Sequence, residues 1–163
     1  GIPGGHHFCM GMVYLNRGGR GNRSAYAGAV SEFSYSQTRM GMDSQSYSYV
    51  NSYLGRALYR SGKRGEAMKV WAEAISVQPQ GRESYLAMAE ALLSERRPQD
   101  ALEVLKKFDQ VKDVEYADAE HFMAQAYFEL KRYDEAKLHL DKAYSLGYPV
   151  FGLRDKLKRV GKY

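Results

Sequence analysis

Apolar residues recur at helical spacing over most of the chain, and the clearest example runs from residue 47 to residue 79. This stretch contains YSYVNSYLGRALYRSGKRGEAMKVWAEAISVQP, in which two amphipathic segments flank a turn that bears Gly62. Apolar residues every three to four positions predict two helices, and Gly62 and Pro79 predict where they end. The segment is therefore predicted to be a helical hairpin.

Small and large side chains within this hairpin specify how its helices pack. Gly55, Ala67 and Ala74 are small, which predicts a close crossing of the two helices. A larger side chain at Gly55 or Ala67 is expected to overpack the crossing at a cost of roughly 1–3 kcal/mol. Trp71 is large, and it is predicted to fill the space between this hairpin and the next. Its replacement by Ala is expected to leave a hole that costs about 3–5 kcal/mol.

The same pattern recurs twice further along the chain, at a period of 34 to 35 residues. Gly55 is followed by Ala89 at the matching position of the second copy and by Ala124 in the third. Pro79 has a counterpart in Pro149, at the end of the third copy. A near-constant period of this length is typical of a helical repeat protein. The predicted repeats span residues 48–81, 82–115 and approximately 117–149.

The pattern before residue 47 is a distorted version of the same repeat. Gly11 and Gly18 stand at first-helix spacing, and Ala29 and Phe33 stand at second-helix spacing. These positions predict a divergent hairpin over residues 5–33, with a turn around GGRGNRSAY about six residues longer than the turns downstream. Residues 34–46 are polar and rich in serine, which predicts a connector. The predicted N-terminal region therefore spans residues 1–46.

An amphipathic pattern closes the sequence after Pro149. Val150, Leu153, Leu157 and Val160 fall at helical spacing with lysines and arginines between them. The last hairpin of a repeat array needs a cap, because it otherwise exposes a face built for a neighbour. Residues 150–163 are therefore predicted to form a capping helix, with contact to a membrane surface or a partner groove as the alternative. The whole chain is predicted to be one structural domain.

The spacing of the first repeat resembles that of the tetratricopeptide repeat. The positions that carry the resemblance are Leu54, Gly55, Ala67, Trp71, Ala74 and Pro79. Asn51 and Leu58 depart from the family, since they stand where Trp and Tyr are commonest. The resemblance implies an all-α fold: a right-handed α-solenoid of antiparallel helix pairs that ends in a C-terminal capping helix.

The resemblance also implies a binding site for a partner protein. In this family, ligand-contacting residues lie on the first helix of each hairpin and line a concave groove. The matching positions here hold Ser52, Arg56, Tyr59, Arg60, Leu86, Glu90, Leu93, His121, Gln125, Phe128 and Glu129. Mixed apolar, aromatic and charged side chains suit an extended peptide or an amphipathic helix. For Leu86, Leu93 and Phe128, packing against neighbouring first helices is an equal alternative.

One departure from the family pattern narrows the class of ligand that this groove is expected to bind. Members of the family that bind the acidic C-terminal tails of chaperones use a clamp of Lys and Asn on these first helices. The corresponding positions here hold Arg56, Glu90 and Gln125. Because the clamp is absent, a chaperone co-factor role is not predicted.

Composition and charge agree with a soluble protein and leave its compartment open between cytoplasm and periplasm. Hydrophobic residues make up 44% of the chain, but no apolar run is long enough to span a bilayer. The net charge of +5 is concentrated at the two ends, whereas residues 47–147 are nearly balanced. Cys9 is the single cysteine, so an intrachain disulfide is impossible. A bacterial source is our guess.

The segment around His6, His7 and Cys9 is the one candidate for metal or nucleophile chemistry. His6 and Cys9 would share a helical face, but a structural zinc site needs about four ligands. A nucleophilic cysteine needs a base and an oxyanion pocket, whereas Cys9 lies among apolar residues. We therefore predict no catalytic residue, no metal and no cofactor, and keep a helical enzyme centred on this segment as a disfavoured alternative.

Basic residues in the turns indicate a second alternative, binding to RNA or another polyanion. The run RGGRGNR at residues 17–23 is one short Arg-Gly copy, and a solvated turn is the favoured interpretation. The basic pairs 63–64, 96–97 and 131–132 recur between the helices of the three repeats. The favoured function is a non-enzymatic scaffold that binds a protein segment within a larger assembly. Polyanion binding and a homo-oligomeric scaffold remain the alternatives, and a membrane partner is disfavoured.

Overall fold

The computed structural model describes Ile2 and residues 4–163, so residues 1 and 3 of the predicted N-terminal region lie outside the described residues. The described chain is all-α, with no strand among these residues, and this confirms the predicted fold class, a helical repeat solenoid. None of the described helices is long and apolar enough to cross a bilayer. The helices are α1 (Gly5–Gly19), α2 (Ala25–Thr38), α3 (Tyr47–Arg60), α4 (Arg64–Val77), α5 (Arg82–Ser94), α6 (Pro98–Val111), α7 (Ala117–Glu129), α8 (Tyr133–Ser145) and α9 (Gly152–Arg159).

The chain divides into two compact units, residues 1–87 and 88–163. In the first unit, α1 packs on α2, α2 on α3, and α3 on α4. Aromatic rings of the second helices lie against glycines of the first helices. A Cβ on Gly11 would come within 2.6 Å of the Phe33 ring, and a Cβ on Gly55 within 2.1 Å of Trp71 Nε1. The absence of a side chain at these positions lets the helices approach closely, as predicted for Gly55.

Trp71 packs against the first helix of its own hairpin, a contact beyond the predicted packing between hairpins. The side chain is fully buried, and its ring lies directly against Gly55 of α3. Its indole Nε1 donates a hydrogen bond to the carbonyl of Ser52, at 3.2 Å. The glycine creates the room for the indole, and the backbone carbonyl of the preceding turn supplies the acceptor.

Two boundaries in the first unit differ from the sequence prediction. Helix α2 continues to Thr38 instead of ending near residue 33, so the connector before α3 is confined to residues 39–46. Residues 34–38 contain no Gly or Pro to stop the helix, and the buried Ser36 hydroxyl donates to the carbonyl of Glu32 at 3.2 Å. Helix α1 likewise continues through Gly18 to Gly19, which leaves a turn of residues 20–24. That turn is therefore two residues longer than 61–63 rather than about six.

In the second unit, α6 packs on α7, α7 on α8, and α8 on α9. Leu105, Phe108 and Leu140 are fully buried at its centre. Helix α9 contributes Leu153 and Leu157 to this core. The outer residues of the predicted apolar stripe, Val150 and Val160, lie beyond the ends of α9 and are exposed.

The three-residue turns at 61–63, 95–97 and 130–132 share one backbone conformation. Their middle residues, Gly62, Arg96 and Lys131, all have positive φ angles, of 92°, 61° and 61°. In each of these turns, the backbone N–H groups of the second and third residues donate hydrogen bonds to carbonyls at the C-terminal end of the preceding helix. This is the left-handed ending that satisfies the terminal carbonyls of a helix and that glycine adopts most easily.

Glycine substitutions in these turns are expected to stabilise the protein. Arg96→Gly and Lys131→Gly should each raise the free energy of unfolding by about 0.5–1 kcal/mol, because glycine has no Cβ to strain at positive φ. Gly62→Ala should lower it by a similar amount. Urea unfolding followed by circular dichroism measures all three changes. Destabilisation by both glycine variants would contradict this account of the turns.

Candidate functional site

The exposed side of α3 is the first part of the candidate site, and it lies within the first unit. Every side chain of α3 that is exposed or half-exposed belongs to this side, and the rest of the helix is buried. We call it the α3 face, and its members are Tyr49, Tyr53, Arg56, Tyr59 and Arg60. Spacings of three, four and seven residues place these side chains on one stripe of the helix.

Aromatic contacts hold the N-terminal half of the α3 face in place. The rings of Tyr49 and Tyr53 lie 5.1 Å apart, and Phe8 of α1 lies 5.5 Å from each of them. The guanidinium of Arg56 lies 5.8 Å from the centre of the Tyr53 ring. A hydrogen bond with Tyr53, together with burial, raises the pKa of Tyr49, so its hydroxyl stays neutral at physiological pH. The result is a preformed surface of rings, hydroxyls and positive charge.

The structure places three of the four predicted α3 residues on this face. Arg56 and Tyr59 are half-buried there, and Arg60 is exposed. Ser52 is instead buried, and its hydroxyl donates to the carbonyl of Tyr49 at 2.7 Å.

Sequence reasoning missed Tyr49 and Tyr53, the two aromatic members of the α3 face that lie nearest Phe8. The signal that would have found them is their spacing. They precede Arg56 by seven and three residues, and Arg60 follows Arg56 by four, so all four positions share one helical stripe.

The predicted residues of α5 are mostly internal. Leu86 is 7% exposed and Leu93 is 4% exposed, so both contribute to the packing of their units, in line with the alternative stated for them. Glu90 is half-exposed. Of the three, Glu90 alone presents its side chain to solvent.

The α7 face, which belongs to the second unit, contains the remaining predicted residues. His121, Gln125, Phe128 and Glu129 are all half-exposed. The His121 ring stacks on Tyr148 with centroids 4.1 Å apart, and burial lowers the pKa of the imidazole, which keeps it neutral. Gln125 Nε2 donates to Glu129 Oε1 at 3.4 Å.

An acidic cluster in the second unit has the composition of a cation site, but a lysine already occupies its centre. Asp109, Glu115 and Glu120 bring carboxylate oxygens close together. Lys112 Nζ lies 2.5 Å from Asp109 and 3.5 Å from Glu120, and it also contacts Glu115. The ammonium group therefore supplies the positive charge that a bound metal would otherwise provide.

In the N-terminal segment, His7 Nδ1 bonds to Glu32 at 2.6 Å, while Cys9 is exposed.

The positive charge predicted along the turns is largely neutralised locally. In each turn, the residue before the second helix pairs with a carboxylate three residues further on. The three pairs are Lys63–Glu66 at 3.5 Å, Arg97–Asp100 at 2.6 Å and Arg132–Glu135 at 2.6 Å. Polyanion affinity depends on the number of cations free to contact phosphates, so these pairs weaken the case for RNA binding.

Comparison with known proteins agrees with the helical pattern. The sequence model of one family, described as anaphase-promoting complex, cyclosome, subunit 3, matches residues 65–143, from the first turn of α4 into α8. No curated protein matches the chain significantly. The matching family is built from tetratricopeptide-like repeats, and the predicted bacterial source is left untested. The recurring hairpins and this match together support a repeat protein of the tetratricopeptide type.

Proposed function

We propose that the protein is a non-enzymatic scaffold that binds a peptide or helical segment of a partner protein on the exposed faces of its first helices. Repeats of this type generally mediate protein–protein interaction. The observation that supports the proposal most strongly is the α3 face, where tyrosines and arginines share one stripe of an otherwise buried helix. The matched family is described as a subunit of a complex, which supports a role within a larger assembly.

The chemistry of the α3 face suits a segment that combines apolar and acidic residues. Tyr and Arg are enriched among the residues that dominate binding energy at interfaces. The ring contacts of Tyr49 and Tyr53 already restrict their rotamers, so binding costs little further side-chain entropy. Arg56 and Arg60 add positive charge beside the rings, and this favours carboxylates on the partner. Within the second unit, His121, Phe128 and Glu129 of the α7 face present their own mixture of ring and polar contacts.

Affinity capture from the native lysate tests the proposal. A bait that carries Tyr49→Ala, Arg56→Glu and Arg60→Glu should fold normally, because all three side chains are at least partly exposed. It should nevertheless lose the principal protein partner of the wild-type bait. Circular dichroism checks the fold, and quantitative mass spectrometry of both eluates measures the loss.

A matched bait controls for the reversed charges. Lys156→Glu with Lys158→Glu changes the net charge by the same amount on the exposed side of α9. This bait should recover the partner at the wild-type level. Equal recovery by the α3-face bait would refute the proposed site, and equal loss by both baits would show that net charge controls binding.

The same material separates the remaining alternatives. Binding to RNA should weaken steeply and linearly with the logarithm of salt concentration, whereas binding of a protein segment to rings should weaken little. Light scattering of the purified chain reports whether its partner is a second copy of itself. A steep salt dependence or recovery of the chain itself as the principal partner would replace the proposed function with the corresponding alternative.

A further inference from the structure

A cleft of about 320 Å³ opens at the turns of the second unit, away from the acidic cluster. It is lined by Arg96, Pro98, Phe128, Glu129, Lys131 and Tyr133, and we call it the turn cleft. The rings of Phe128 and Tyr133 lie 5.5 Å apart and form an aromatic wall. The turn before α6 and the turn before α8 each place one cation at its edge. The turn cleft thus combines an apolar surface with positive charge.

The two cations of the turn cleft differ from the other basic residues of the same turns. Arg97 and Arg132 are each held at 2.6 Å by a carboxylate of the following helix. The side chains of Arg96 and Lys131 make no hydrogen bond or ion pair within the described part of the chain. Charge on these two side chains is therefore available to a ligand.

The backbone at these positions favours glycine, yet both hold long cations. Arg96 and Lys131 are the two described residues other than glycine with a positive φ, and Gly62 occupies the equivalent place in the first hairpin. A side chain at positive φ strains the backbone, and such strain concentrates where the side chain has a function. Two strained and unpaired cations at the edge of one cleft point to an anionic ligand.

We infer that the turn cleft binds a short acidic and aromatic segment of a partner protein. Carboxylates of the segment pair with Arg96 and Lys131, and its aromatic side chain packs against Phe128 and Tyr133. The carboxylate of Glu129 accepts a backbone N–H of the bound segment, which adds direction to the contact. The inference rests on the proposed function, because it names the class of segment that the second unit recognises.

Charge in and around the turn cleft favours a protein segment over a nucleic acid. Glu129 lies inside the cleft, and Asp100 and Glu135 flank the paired arginines of the two turns. A nucleic acid backbone carries one negative charge per phosphate and needs a longer array of free cations than two. A peptide with one or two carboxylates beside an aromatic ring matches the two cations and the ring wall.

Fluorescence anisotropy with a defined peptide tests this inference on the full chain. The probe is a fluorescein-labelled, amidated peptide of sequence Gly-Asp-Glu-Phe-Asp-Gly, and a Gly-Asn-Gln-Phe-Asn-Gly peptide is its neutral counterpart. The acidic probe should bind, and the double variant Arg96→Gly with Lys131→Gly should lower the affinity for this probe by about tenfold. These glycine variants relieve the backbone strain, so loss of binding cannot be attributed to loss of folding.

A second pair of substitutions provides the matched control. Arg97→Gln with Arg132→Gln removes the same net charge from the same two turns, but from side chains that are already paired. This variant should bind the acidic probe within about twofold of wild type. Phe128→Ala should weaken binding of the acidic probe. It should leave unchanged the binding of a peptide that has Ala in place of Phe.

Three results would overturn the inference. They are absence of binding by the acidic probe, equal weakening by the Arg97 and Arg132 variant, and equal affinity for the neutral peptide. Displacement of the probe by heparin at equal charge concentration, with the same dependence on Arg96 and Lys131, would assign the turn cleft to polyanions instead. None of these variants changes the α3 face, so a negative result here is distinguishable from failure of the capture experiment.

Discussion

Trp71→Ala is expected to lower the free energy of unfolding of the first unit by about 3–5 kcal/mol. The indole is fully buried against Gly55, and its Nε1 bonds to the carbonyl of Ser52. Removal of the ring leaves a cavity between α3 and α4 and also removes the hydrogen bond to Ser52. Urea unfolding monitored by circular dichroism measures the loss, and Trp71→Phe, which keeps most of the volume, should cost less.

A second substitution makes this prediction specific to the glycine–tryptophan contact. Gly55→Ala alone should destabilise the protein by about 1–3 kcal/mol, because the new Cβ would lie 2.1 Å from Trp71 Nε1. In the Trp71→Ala background, the same change should stabilise the helix by up to about 1 kcal/mol, since alanine favours helix over glycine. Additive effects of the two substitutions would show that Gly55 and Trp71 do not interact.

The packing of the hairpins was predictable because it depends on residue size. Small residues recur at the positions of Gly55 and large apolar residues at those of Trp71, so this pairing of sizes leaves a periodic pattern in the sequence. The contact of Trp71 with its own hairpin was not predicted, because size alone does not say which helix surrounds a ring. The indole N–H adds a contact that residue size does not reveal, since it donates to the carbonyl of Ser52 in its own hairpin.

The candidate site was only partly predictable because exposure depends on tertiary contacts. Ser52 is small and polar, and nothing in its residue type predicts burial beside Trp71. Tyr49 and Tyr53 suit a core as well as a surface, so their role depended on whether another helix covers them. The turns show the same limit.

Gly62, Arg96 and Lys131 stand at equivalent positions of the repeat, so comparing them would have indicated a strained backbone at the two cations. The ion pairs of the neighbouring arginines, by contrast, could be seen only in the structure.

Glu120→Gln is expected to remove about 3 kcal/mol of stability near neutral pH. The carboxylate is 1% exposed, and it accepts hydrogen bonds from His139 Nδ1 at 2.7 Å and Lys142 Nζ at 2.8 Å. Burial alone would raise the pKa of Glu120, but the bonds from His139 and Lys142 outweigh it and lower the pKa to about 2. A neutral amide keeps the shape of the side chain and loses the charge that these donors stabilise.

The pH dependence of this effect separates charge from packing. Because the folded-state pKa lies below the ordinary value of 4.5, the ionised Glu120 stabilises the protein fully above about pH 4.5, and this stabilisation is lost as the pH falls through about 2. The stability difference between wild type and Glu120→Gln should therefore shrink by more than half between about pH 7 and about pH 3. Glu135→Gln is the matched control, since its exposed carboxylate pairs with Arg132 in solvent and should give a much smaller difference. A difference for Glu120→Gln that stays constant over this range, measured by urea unfolding, would assign its role to packing instead of charge.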